Sequence, residues 1–302
     1  PRRRQLRAAV LSSGRAEARS ERMCQFCIQH GDGKRWYANA ANYAQDLQSD
    51  LRRRGYMVGF VKDFERTRRV VLAGLSALRY VPRPLREPIA ERVSRTQQDQ
   101  HFGQPVPLEQ CDRILRLASH ITRLPCVCRG AMRPGSDAES CCIVATVQPH
   151  DEVLAECFAG YRAGPAAEGF QKLSHPEAMA YLRRAEERGL AHTAWTFGTP
   201  FIAAICNCDL PSGCLAMRTQ LEGGLRVMWR GEDVAKQDRD RCTDCGLCLP
   251  LCPFGALRRD AKGGVLLDRE ACWGCGTCRA GCHRQALTLE SRSATADVAM
   301  RW

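Results

Sequence analysis

The sequence predicts an α+β chain: a mainly helical N-terminal part, a mixed central domain and a small cysteine-rich domain near the C-terminus. Three observations carry that division. Apolar residues recur at helical spacing through the first half, and short runs bounded by Gly and Pro read as strands in the second. Eight of the nineteen cysteines crowd into residues 242–252 and 272–282. The boundaries that follow are a basic tail over 1–22, a helical region over 23–105, a central region over 106–235, the cysteine-rich domain over 236–291 and a C-terminal tail over 292–302.

Composition narrows the chemistry. A chain of 302 residues can bury a sizeable core. Nineteen cysteines exceed what packing needs, so they imply disulfides or metal. An odd count in a long chain fits disulfides poorly. The twin arginines Arg2 and Arg3 lack the apolar segment of an export signal, and no run of eighteen apolar residues predicts a membrane span. The expectation is a cytoplasmic protein in a reducing compartment. The formal charge is +12, but seven arginines against two glutamates fall within residues 1–22. Removing that stretch leaves +7. Its composition reads as disordered, and Met23 is a candidate translation start. The basic excess is therefore weak support for a nucleic-acid partner, and none is expected.

In chain order, "MCQFCIQH" offers Cys24, Cys27 and His30 as half of a metal site; Ile28 stands where haem attachment needs a histidine. A basic helix is expected around residues 40–54. "RRVVLAGLSALRYVPRPLREPIAERV" then reads as amphipathic, core-facing helices with a solvated basic side; a docking surface for a partner or an acidic membrane is the minority reading. Leu108, Cys111, Ile114, Leu115, Ala118 and Ile121 predict a helix over 108–124 that Pro125 ends. "PCVCRG" follows, with Cys126, Cys128 and the anion-stabilising Arg129, then Cys141, Cys142 and Cys157. Ser174 and Glu177 form a capping box that opens a second helix, and Gly189 ends it. After "HTAWTFGTPFIAAI", turn and strand, comes "CNCDLPSGC" with Cys206, Cys208 and Cys214. The C-x-C pairs Cys126/Cys128 and Cys206/Cys208 are candidates for a third metal site, with reduced buried thiols as the alternative. On this reading each pair needs a turn to present both sulfurs, and Pro125 and Pro211 supply one.

The densest signal comes last. "CTDCGLCLPLCP" at 242–253 and "CWGCGTCRAGCH" at 272–283 superpose with a period of thirty residues, cysteine on cysteine and Gly246 on Gly276. C-x2-C-x2-C-x3-C is the ligand pattern of a [4Fe-4S] cubane, with the fourth cysteine reaching the other cluster. Cys242, Cys245, Cys248 and Cys282 are assigned to one cluster, and Cys252, Cys272, Cys275 and Cys278 to a second. Zinc would use two C-x2-C pairs and leave the extra cysteines unexplained. Gly246 and Gly276 bring backbone N–H groups to the sulfurs, and Trp273 reads as a solvent shield. "ALRRDAKGGVLLD" reads as strand, Gly-Gly turn, strand, and "ALTLE" as a further strand. Residues 236–291 carry nine Lys or Arg and seven Asp or Glu, so the basic groups offset cluster charge.

Over roughly residues 238–290 the sequence resembles the bacterial dicluster ferredoxin. The resemblance implies a pseudo-twofold α+β fold and one-electron transfer at low potential, with His283 standing where the family usually has proline. Taken with M-C-Q-F-C, H-F-G-Q, P-C-x-C-R and I-C-N-C, residues 23–291 are also similar to ferredoxin-fused iron–sulfur proteins of anaerobic bacteria and archaea, which implies a multi-cluster protein. Where that group has a denser cysteine run, this chain has Asp209 and Ser212. No glycine loop for a nicotinamide or ATP is present. The expected function is electron transfer to or from a partner redox enzyme, through two [4Fe-4S] clusters or three. The alternative is an oxidoreductase whose central cysteines hold a cluster with an open iron for substrate.

Overall fold

The computed structural model describes residues 35–44, 50–132, 142–146, 171–211 and 213–299. The candidate site Cys24, Cys27 and His30 lies outside them, as do Cys141 and Cys157.

The N-terminal part is helical. Two 3-10 turns, Trp36–Ala38 and Ala40–Tyr43, bury Trp36, Tyr37 and Tyr43. Of the helix expected around 40–54, residues 45–49 lie outside the described residues; residues 40–43 form the second 3-10 turn, and the Asp50 side chain accepts the Arg53 N–H at 2.9 Å at the start of α1, Leu51–Lys62. Helices α2, Phe64–Leu78, and α3, Arg83–Gln100, follow. Phe64, Val71 and Leu72 turn α2 toward a core that also holds Met57, Leu124, Phe201 and Leu215. On α3 the core-facing expectation fails: Leu85, Ile89 and Val93 are exposed, whereas Ser94 is buried.

The central part is a six-stranded antiparallel sheet in the order β1-β5-β6-β3-β2-β4. Its strands are β1, Gly103–Pro105; β2, Thr122–Pro125; β3, Cys142–Ala145; β4, Gln171–Lys172; β5, Ala191–Thr196; and β6, Ile202–Cys208. Helix α4, Leu108–Leu117, buries Cys111, Ile114 and Leu115, as its spacing predicts. It ends seven residues early. Ala118 turns extended, and residues 122–125 pair with β3 and β4 instead of continuing the helix. Helix α5, Val127–Met132, comes directly after β2. Helix α6, His175–Glu187, opens on the expected capping box, with the Ser174 N–H donating to Glu177 at 2.7 Å. It packs with α4 over one core that includes Phe102, Val144, Ala194 and Ile205. Helix α7, Leu215–Leu221, closes the central part.

The C-terminal domain contains two antiparallel pairs: β7, Asp233–Gln237, with β10, Leu287–Ser291, and β8, Leu257–Arg259, with β9, Val265–Leu267. The hairpin β8–β9 is the strand, Gly-Gly turn, strand read from 256–268. Residues beyond β10 remain packed: Arg292 and Val298 are both fully buried. The domain docks on the central part through Arg279, whose guanidinium grips the Glu109 carboxylate of α4 at 2.6 and 2.9 Å. No described helix is long and apolar enough to cross a membrane.

Candidate metal centres

The thirty-residue repeat is written into the backbone. Positive φ occurs at Asp244 (53°) and Gly274 (74°), at Gly246 (81°) and Gly276 (79°), and at Gly255 (70°) and Gln285 (52°), three pairs each thirty residues apart. The same left-handed bends therefore fold both cysteine runs, and they turn backbone N–H groups inward. The Ala256 N–H donates to the Cys252 sulfur and the Ala286 N–H to the Cys282 sulfur, both at 3.2 Å.

Each copy wraps a cavity. The first, open to solvent, is lined by Cys242, Cys245, Cys248 and Cys282, with His283 and Arg284 at its wall. The second, far smaller, is lined by Cys252, Cys272, Cys275 and Cys278. These are the two interleaved sets written by the spacing. All eight are free thiols in this structure. Among the described residues no three His, Cys, Asp or Glu gather tightly enough for a single ion. The sulfurs ring a void, which suits the corners of a polynuclear cluster better than one zinc ion.

The two sites differ in their surroundings. At the first, Cys245 and Leu247 are exposed and Cys242 and Cys282 half-buried. The Cys242 sulfur accepts from Gln237 Nε2 at 3.3 Å. The Leu247 N–H on the exposed Cys245 sulfur holds that thiol below the ordinary cysteine range. Arg259 donates to the carbonyls of Asp244 and Gly263 at 3.2 and 2.6 Å and Arg239 to that of Val265 at 2.6 Å, so these cations hold loops around the cavity.

At the second site Cys272, Cys275 and Cys278 are buried. Burial pushes the Cys275 thiol up to about 12 and Cys278 well above its usual value. Such thiols ionise only against a metal's charge. The Cys272 sulfur accepts from the Ala235 and Gly274 N–H groups, each at 3.4 Å, and the Thr277 hydroxyl donates to Cys275 at 3.2 Å. Trp273 stacks on Phe254 with 5.0 Å between ring centroids, and Arg230 lies over the indole at 5.2 Å. Arg292 donates to the carbonyls of Gly231, Asp233 and Cys272 at 2.8, 2.9 and 2.9 Å. Sequence reasoning missed Arg230 and Arg292, because nothing local marks a distant arginine as the brace of a metal loop.

The central candidates also converge. Cys126, Cys128, Cys206 and Cys208 belong to one cluster of packed residues, joined by Cys214, Trp195, Trp273 and Cys275. The turn expected at the C-x-C pairs is corrected for Cys206 and Cys208. They lie on strand β6, where residues two apart share a face, so the strand itself presents both sulfurs. Asn207 between them is fully buried, its Oδ1 2.7 Å from His192 Nδ1. Cys142 occupies β3, opposite Pro125.

Residues 241–287 match the family model of the 4Fe-4S dicluster domain. No curated protein matches the chain.

Proposed function

We propose that the chain is a one-electron carrier. Cys242, Cys245, Cys248 and Cys282 hold one [4Fe-4S] cluster, Cys252, Cys272, Cys275 and Cys278 a second, and a partner dehydrogenase or reductase exchanges electrons at the exposed first site. The observation that carries this reading is the pair of cysteine-lined cavities within the dicluster domain. When bound, the clusters supply reversible one-electron chemistry. The chain's own part is to place inward N–H donors on the sulfurs, to exclude water at the second site with Trp273 and Phe254, and to leave Cys245 open toward a partner. A reducing compartment such as the cytoplasm would keep these thiols available to clusters.

Anaerobic iron and sulfide quantification with EPR tests it. Cys245→Ser removes the iron and the signal of the first cluster and leaves the second. A colourless chain loaded with zinc alone overturns the proposal.

A further inference from the structure

A second concentration of sulfur lies outside the ferredoxin-like domain. Its five cysteines come from three stretches: Cys126 and Cys128 where β2 runs into α5, Cys206 and Cys208 on β6, and Cys214 ahead of α7. Cys126, Cys208 and Cys214 are buried in one packed cluster, and Cys128 and Cys206 pack against it. The Cys214 sulfur accepts from the Met217 N–H at 3.5 Å. Three of the five are at most 5% exposed. Cys111 shows what a thiol used for packing looks like in the same molecule: it is the lone cysteine of its core, set among Ile114, Leu115 and Leu182.

Arg129 is the residue after Cys128, and its Nε and Nη1 are buried with no hydrogen-bond partner.

We infer that these cysteines supply the ligands of a third iron–sulfur cluster, wired to the second site. Five sulfurs stand around four ligand positions, so Cys214 joins the quartet Cys126, Cys128, Cys206 and Cys208 that the sequence singles out. The wiring is the Trp273–Phe254 stack. Both rings line the second cavity and pack in the same cluster as the five cysteines. In the transfer step one electron leaves the reduced central cluster and enters the oxidised cluster at the second site, with no proton moved and no bond made or broken. Only this wiring rests on the two-cluster reading; the third site stands on its own residues.

The test uses the full chain, reconstituted anaerobically with iron and sulfide and weighed by native mass spectrometry. Three [4Fe-4S] mass increments and about twelve irons are expected. In Cys126→Ser/Cys206→Ser the count falls by a third, to about eight, while the EPR signals of the two C-terminal clusters persist; Cys111→Ser keeps all twelve. Two increments and about eight irons in the unaltered chain overturn the third site and leave the two-cluster reading intact. About four irons or fewer there overturn both. Zinc that disappears with Cys126 and Cys206 overturns the cluster assignment. The count in the unaltered chain decides the matter even if the double variant does not fold.

Discussion

The two cysteine-lined cavities of the C-terminal domain share a backbone and differ in almost everything around it. The first opens to solvent at Cys245 and Leu247; the second is roofed by Trp273 and Phe254 and packed against the central domain. Where the first copy has Leu247, exposed, the second has Thr277, fully buried and donating to a sulfur. The comparison teaches that a repeated loop fixes where sulfurs and inward N–H groups stand, while dielectric and access come from what each copy packs against. The same sulfurs in a drier setting hold charge at a different cost, and each site has two arginines on its loops: Arg230 and Arg292 at the second, Arg239 and Arg259 around the first.

The comparison breaks most visibly when a ligand is removed from each side. Cys275→Ser is expected to lose one cluster and to unfold the domain interface with it, whereas Cys245→Ser loses one cluster and leaves cooperative unfolding in place. Iron counts and anaerobic thermal melts check this, and equal damage from both would mean the sites are not differently embedded. Next is Gly274→Ala, which sets a methyl group into the Asp233 carbonyl oxygen at a left-handed position. A loss of about 4 kcal/mol or more in denaturant unfolding is expected. The equivalent residue of the first copy is Asp244, which already carries a Cβ at its positive φ; Asp244→Ala loses the bond its carboxylate accepts from the Val265 N–H at 2.8 Å but sets no new atom against the backbone, so it should cost less than Gly274→Ala.

Trp273→Ala sharpens the comparison. It should cost about 3 kcal/mol and make the second cluster as sensitive to oxygen as the first, measured as the rate of absorbance bleaching in air. The smallest effect concerns Glu186, on α6 at the docking face, whose carboxyl burial pushes up to about 7 although Arg279 pulls it down. Its folded value lies above its unfolded one, so the folded state binds more protons between them. The stability tied to that proton is present at low pH and is lost as pH rises toward 7. Between pH 5.5 and 8 the loss is on the order of 2 kcal/mol, and Glu186→Gln should flatten that slope in anaerobic unfolding curves.

Much of this was legible beforehand, and the reasons it stopped are specific. Cysteine spacing anticipates the two sets that line the cavities, and Gly246 and Gly276 announce two left-handed bends. Asp244 and Gln285 adopt the same conformation with side chains that do not advertise it. The Ser174–Glu177 box is local and was readable. The end of α4 was not, because residues 122–125 are claimed by pairing with β3 and β4, which are remote in sequence. Cys214 joins the other four central cysteines only after the sheet closes. The difference in burial between the sites could not be read from two matching motifs.

Each cavity takes three of its four sulfurs from one copy and the last from the other, Cys282 completing the first and Cys252 the second. A solitary half of this domain would therefore finish neither vessel. Two identical halves that traded their last cysteine across a dyad would finish both, so the duplication reads as a fused homodimer whose present-day division of labour had to arise after the fusion.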